Sequence, residues 1–227
     1  MSLLRRPEAM IFDMDGTLFR TETLILPAYR RTFDQLRREG LFEGETPPEH
    51  IILGSLGMLL AQIWQRVIPG AAPEVHRRAD ELLLKYQLEG LDAGEGELYE
   101  GVEAALGELN RRGVRLFVAS NGLEEYVKGV AGAKGLSGLF EGIYSAGEYG
   151  TAKKTELVRL LMNRHGVRDA WMVGDRSSDV QAGKENGIAV IGCRYAGFGD
   201  LRELEGADAY VDDFREIVEL YERAAER

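Results

Sequence analysis

Three short apolar runs, each ending abruptly in small, hydroxyl-bearing or acidic residues, constrain the fold of this chain more than any other feature. Ala9-Met10-Ile11-Phe12 breaks into Asp13-Met14-Asp15-Gly16-Thr17-Leu18-Phe19. Val114-Arg115-Leu116-Phe117-Val118-Ala119 leads into Ser120-Asn121-Gly122, and Ala170-Trp171-Met172-Val173 into Gly174-Asp175-Arg176-Ser177-Ser178-Asp179. From about residue 102 onward, strand-like runs alternate with helical patterns. A stripe of Val102, Ala105, Leu106 and Leu109 ends at Gly113 before a strand over 115–119. The order continues with a helix near 124–130, a short strand at 143–145 and a helix after Lys154 with Leu157, Leu160 and Leu161 on one face. The Trp171 strand, a helix over 178–186 closed by Gly187, and a strand at 189–191 follow. This alternation predicts a doubly wound α/β core, a parallel sheet with helices on both faces, in which ligands bind outside the carboxyl ends of the strands. All three polar motifs fall at such ends.

Residues 21–97 follow a different pattern. The stretches 28–39, 58–68 and 74–91 are helical in composition and period, separated by Pro47-Pro48, Pro69-Gly70 and Pro73, and no strand is expected among them. The expected organisation is therefore a core made of residues 1–19 and 98–227, with an all-helical insertion over 20–97 joined by linkers near 19–23 and 94–99.

Asp13 and Asp15 place two carboxylates at the mouth of a buried strand, where charge is unfavourable. Side chains alternate faces along a strand, but a turn at Gly16 lets both converge. Such a pair repels unless a cation lies between its members or one takes a proton, which calls for a hard divalent metal and a reaction that moves charge. A carboxylate also attacks phosphorus to form an aspartyl-phosphate. The plainer reading is a capped strand-to-helix turn, since Asp, Gly and Thr are common turn residues.

The 227 residues suit one core with a sizeable insertion, and 44% hydrophobic with 29% charged residues is ordinary for a globular protein. A formal charge of −10 argues against nucleic acid or an anionic membrane as partner, so an anionic substrate needs local positive charge and a metal. Cys193 is the single cysteine; it excludes an intramolecular disulfide and reads as a partly buried, unreactive thiol. His50, His76 and His165 lack metal-ligand spacing and read as surface or helix residues. Without a leader-like start or an apolar stretch of membrane-spanning length, an intracellular, cytoplasmic protein is expected.

Lys153-Lys154-Thr155-Glu156 opens the helix between the second and third runs. A nucleophilic Asp, a hydroxyl, a lysine and a second acidic pair, in that order, resemble the four motifs of the haloacid dehalogenase-like superfamily of phosphohydrolases, over nearly the whole chain. The resemblance implies a Rossmann-like core, a helical cap that closes over the site, and Mg2+ as cofactor. It makes Asp13 the nucleophile and a metal ligand, and Asp15 the general acid and base with its backbone carbonyl on the metal. Thr17, Ser120 and Asn121, with the amides near Gly122, would hold the phosphoryl group. Lys154, with Lys153 as fallback, would balance its charge; Asp175 would ligate the metal directly, and Asp179 directly or through water. Ser120 also reads as a helix N-cap, and Asp179 as a capping residue.

Two departures stand out: Arg20 occupies a position that is acidic in many members with helical caps, and the lysine is not followed by proline. Val190-Ile191-Gly192, Gly197-Phe198-Gly199 and Ala207-Asp208-Ala209-Tyr210-Val211 match the closing region of phosphoglycolate phosphatases. The expected function is thus a magnesium-dependent phosphatase acting on a small phosphomonoester metabolite, as a monomer or homodimer, with no nucleic-acid or membrane partner. A 5'-nucleotidase or a β-phosphoglucomutase-like phosphosugar mutase are alternatives, and a non-catalytic binding protein ranks last. Within the insertion, the Gly54-Ser55-Leu56-Gly57 turn suits close approach to a ligand, with Gly54 and Leu56 as specificity candidates.

Overall fold

The first apolar run forms β1 (Ala9–Phe12), with every residue buried. In the computed structural model, which describes residues 4–58, 60–197 and 200–226 apart from the side chains of Leu60 and Ala61, the chain then turns into β2 (Phe19–Arg20) and enters a helical stretch. That stretch comprises α1 (Glu22–Arg38), α2 (Glu49–Leu53), α3 (Leu60–Val67) and α4 (Pro73–Asp92). After β3 (Glu97–Leu98) come α5 (Val102–Arg111), β4 (Arg115–Ser120), α6 (Glu124–Ala133), β5 (Gly142–Ser145) and α7 (Ala146–Tyr149). The chain closes with α8 (Lys154–His165), β6 (Ala170–Gly174), α9 (Ser177–Glu185), β7 (Ala189–Cys193), β8 (Ala209–Val211) and α10 (Glu216–Arg223). Phe198 and Gly199 of the expected closing region lie outside the described residues.

The main sheet runs β5-β4-β1-β6-β7-β8, parallel throughout. Its two faces follow from the two-residue period of a strand. Met10, Phe12, Leu116, Val118, Trp171 and Val173 enter one apolar cluster, whereas Ala9, Ile11, Phe117, Ala119, Ala170 and Met172 enter the other. Burial on both faces explains why these strands read as continuous apolar runs. From β1 the chain order runs outward through β4 and β5 on one side and through β6, β7 and β8 on the other. The carboxyl end of β1 therefore lies at the switch point where an open α/β sheet leaves a crevice.

The helices between β2 and β3 have an apolar cluster of their own, centred on Tyr29, Phe33, Ile52, Trp64 and Leu82. Phe33 sits edge-on to Tyr29 and Phe42, with centroids 4.9 and 4.8 Å apart. Each such aromatic pair contributes roughly 0.5–1.5 kcal/mol beyond its buried area.

Here the structure corrects three expectations. The linkers are not strand-free: Phe19 pairs with Leu98 and Arg20 with Glu97 in a two-stranded antiparallel ribbon, too short to show a sequence period. Arg20 is tied across it to Glu97 and along the chain to Glu22. The first helix starts at Glu22 rather than at residue 28 and runs through Pro27. A proline this near the start removes one helical donor, and burial of Leu24 and Ile25 outweighs that loss. The short α2 lies in a stretch where no helix was expected.

Candidate active site

Local backbone bonds hold the turn after β1 together. Leu18 and Phe19 donate their amides to the Met14 carbonyl, and Gly16 donates to Phe19. Gly16 has φ +76°, and a Cβ there would lie 2.4 Å from Asp175 Oδ2. Glycine is thus required twice, for the turn and for the close approach of β1 and β6.

Around this turn, Asp13, Asp175 and Asp179 converge, each offering an oxygen within 4.8 Å of the others. All three are buried, as is Lys154, whose Nζ stands 2.8 Å from Asp13 Oδ2 and donates to Asp179 Oδ1 at 2.7 Å. Lys153, the residue before it, is the N-cap of α8 and exposed, whereas Lys154 opens the helix and is buried. Asp179 Oδ2 accepts the Arg176 amide at 2.9 Å, so Asp179 both caps α9 and faces the lysine. Asp13 Oδ1 accepts the Met14 amide at 2.8 Å. Asp13 Oδ2 and Asp175 Oδ2 are buried and accept no hydrogen bond; the contact of Lys154 with Asp13 Oδ2 is an ion pair out of hydrogen-bond alignment.

The protonation tendencies follow from this crowding. Burial raises the pKa of Asp13, with Lys154 opposing. Burial raises the pKa of Asp175 well above its ordinary value, helped by its neighbours Asp13 and Asp179. Asp179 is pushed up to about 6 by burial, against the pull of Lys154. Lys154 is itself raised, because the attraction of Asp13 and Asp179 outweighs the burial that would lower it. Three carboxylates against one ammonium leave two negative charges in excess, the charge a divalent cation cancels. The two orphaned oxygens and the close approach at Gly16 make an all-oxygen pocket fitted to such an ion.

Asp15 is held apart from that cluster. Its Oδ1 accepts from Thr21 Oγ1 at 2.7 Å and from Tyr126 OH at 2.5 Å. Burial raises its pKa while both hydrogen bonds lower it. Neither Thr21 nor Tyr126 was expected at the site. Tyr126 sits in an apolar stripe of α6 and reads in sequence as core, with no signal for its hydroxyl.

The other candidates make local contacts of their own. Thr17 Oγ1 donates to Asp175 Oδ1 at 3.1 Å, which ties its hydroxyl proton to that carboxylate. The Ser120 hydroxyl accepts the Gly122 amide at 3.1 Å; it tightens the loop and does not cap α6, which starts after Leu123 with no side-chain cap. Asn121 Nδ2 donates to the Gly57 carbonyl at 2.7 Å, joining this loop to the α2–α3 turn. A cavity of about 60 Å³ lies where these parts meet, bounded by Asp13, Asp15, Ser120, Asn121, Tyr126 and Leu56. Gly54 is not in its wall; its carbonyl accepts from Arg66.

Cys193 is fully buried, and burial raises its thiol pKa. His165 contacts Tyr144 and Glu141, and His76 the Ile68 carbonyl, all away from the acidic cluster. Among the described residues, no helix is long and apolar enough to cross a membrane.

The sequence is similar to a pyrophosphatase, PpaX, of Bacillus velezensis, at 27% identity over 92% of either chain. It is also 28% identical to a phosphoglycolate phosphatase of Rhodospirillum rubrum, over 93% of this chain and 89% of that one. A haloacid dehalogenase-like family protein from Streptococcus pneumoniae has the same fold, with a TM-score of 0.79 and 21% identity over 94% of this chain and 97% of that one. The family model for haloacid dehalogenase-like hydrolases matches residues 7–187, a span running from the Asp13 turn through Lys154 to the end of α9, and the chain belongs to that family.

Proposed function

We propose that the protein is a magnesium-dependent phosphatase that hydrolyses a small phosphomonoester through an aspartyl-phosphate on Asp13. The observation that carries this reading is the separation of roles: Asp13, Asp175 and Asp179 gather around Lys154, while Asp15 is drawn aside by Thr21 and Tyr126. Asp13, Asp175 and Asp179 would hold the metal, with the Asp15 backbone carbonyl as the family resemblance implies. When bound, the ion offsets the repulsion between carboxylates and phosphate and favours charge build-up on the transferring oxygens.

A carboxylate oxygen of Asp13 attacks phosphorus as the bond to the leaving oxygen breaks, and Asp15 gives that oxygen its proton. The raised pKa of Asp15 suits an acid that starts protonated. Ionised Asp15 then takes a proton from water, which attacks phosphorus; the bond to Asp13 breaks, and inorganic phosphate leaves. Lys154 keeps Asp13 ionised and meets the phosphoryl oxygens, while the backbone amides after Ser120 supply further donors. We treat residues 20–97 as a cap, with the β2–β3 ribbon as its joint, and place the protein in the cytoplasm.

Phosphate release from p-nitrophenyl phosphate, with and without Mg2+, tests the reaction. Asp15→Asn removes the base for the second step, so substrate should leave one phosphoryl group on Asp13, seen in the intact mass. Brisk hydrolysis in excess chelator, or a phosphoryl group on another residue, refutes the assignment.

A further inference from the structure

Asp15 lines only one of the two clefts beside the Gly57–Asn121 contact, the cavity under the cap helices. The other cleft holds Lys153, Lys154 and Arg176. Arg176 is buried and paired with Glu203 at 3.1 Å. If Asp15 is to protonate the leaving oxygen, the leaving group must occupy the cavity that Asp15 lines. The far wall of that cavity is apolar, from Leu56, Ile63, Leu83 and Leu84, interrupted by Asp80 and Gln87. No Lys, Arg or His lines it among the described residues. Asp80 is half-buried, and one oxygen accepts the Trp64 indole N–H, which fixes the carboxylate in the wall.

An anionic leaving group such as glycolate or phosphate would lose its hydration in this cavity and meet a fixed carboxylate in place of a cation. An apolar body would fill the leucine-lined wall, and a hydroxyl or amino donor at its far end would find Asp80 and Gln87 as acceptors. We propose that the substrate is a phosphomonoester of an uncharged, largely apolar alcohol bearing a hydrogen-bond donor at the end remote from phosphate, and that Asp80 excludes anionic leaving groups. This rests on the phosphatase reading above and narrows it away from the substrates in the names of the two relatives, pyrophosphate and phosphoglycolate.

A matched series tests it: 4-hydroxybutyl phosphate, n-butyl phosphate and 4-(phosphonooxy)butanoate, with p-nitrophenyl phosphate reporting the chemistry. At saturating Mg2+ and near-neutral pH, kcat/KM for the butanoate should be roughly a hundredfold below that of the hydroxybutyl ester. Asp80→Asn, which still accepts the indole N–H, should shrink that ratio about tenfold. Leu56→Arg, which adds a cation to the wall, should also favour the butanoate. A butanoate rate equal to or above the hydroxybutyl rate, or a ratio unmoved in a folded Asp80→Asn variant, overturns the inference and leaves the phosphatase reading standing. Inertness of all three esters and of p-nitrophenyl phosphate overturns that reading as well.

Discussion

The sheet side and the helical side of the site are built on opposite terms. On the sheet side, the ends of β1 and β6 and the first turns of α8 and α9 bury Asp13, Asp175, Asp179 and Lys154 together, and Lys154 answers two of the carboxylates directly. On the helical side, the cavity wall is largely apolar among the described residues, with the Asp80 carboxylate accepting the Trp64 indole N–H. Buried charge held by strand ends and helix starts is rigid and costly to alter, because removing one member leaves its partners uncompensated. An apolar wall of leucines on helices tolerates exchange at modest cost, which is what a region that selects among leaving groups requires.

The sharpest break of this contrast is Asp13→Asn, which keeps size but removes the attacking charge. Turnover should fall on the order of 10⁴-fold or more while the fold persists. Metal-dependent turnover by the pure variant near the wild-type rate would show that the sheet side is not the chemical side.

Next in size is the lysine pair. Lys154→Ala leaves Asp13 and Asp179 without their counter-charge, so kcat should drop roughly 10²–10³-fold. Lys153→Ala, on an exposed residue, should change kcat little. Steady-state kinetics of both variants at saturating Mg2+, with circular dichroism as a check on folding, decide the ranking.

Metal removal sharpens the contrast through stability. Asp179 titrates at about 6 against an ordinary 3.8, and Asp13 and Asp175 are raised too. Groups whose folded-state pKa is raised favour the fold while protonated, so in metal-free protein the contribution of Asp179 to stability is lost as pH rises from the unfolded value through about 6. A divalent cation favours the ionised carboxylates and offsets that loss. The gain in Tm on adding Mg2+ should therefore be larger at about pH 7 than at about pH 5. At neutral pH it should reach roughly 5–10 °C when the ion is at about a hundred times its Kd. Equal gains at both pH values, read by scanning calorimetry, would place the ion elsewhere.

The smallest effect falls where the two sides join. Tyr126→Phe removes one of the two hydrogen bonds to Asp15, at about 1 kcal/mol of stability, and kcat should fall about tenfold. Because that bond lowers the pKa of Asp15, its loss should move the ascending limb of the pH–rate profile to higher pH. A fall in kcat with an unmoved profile would make Tyr126 a packing residue only.

Much of this was legible in the linear chain for a physical reason. A strand buried on both faces must be apolar throughout, so it ends visibly at the first polar residue, and the ligand-binding crevice of a parallel sheet lies at those ends. Asp13, Ser120 and Asp175 were therefore marked by position as well as by type. The two-residue strands β2 and β3 carry no period, and α1 passes through a proline because packing of Leu24 and Ile25 overrides local preference. Neither could be read locally.

By itself, the sequence determined the alternation of strands and helices from residue 102 onward, the mainly helical character of residues 21–97 and the set of charged residues available for chemistry. Tertiary structure alone decided which members of that set meet. Lys154 rather than Lys153 faces Asp13 because α8 begins at that residue, which its first turn buries, while Lys153 stays outside the helix as its N-cap. Thr17 turns to Asp175, and Tyr126 reaches Asp15 across 111 residues of chain. Such partnerships depend on side-chain direction at contacts far apart in sequence, where neither spacing nor composition carries a trace. The same holds for Asp80, one acidic residue on an amphipathic helix until packing sets it in the same cavity as Asp13 and Asp15.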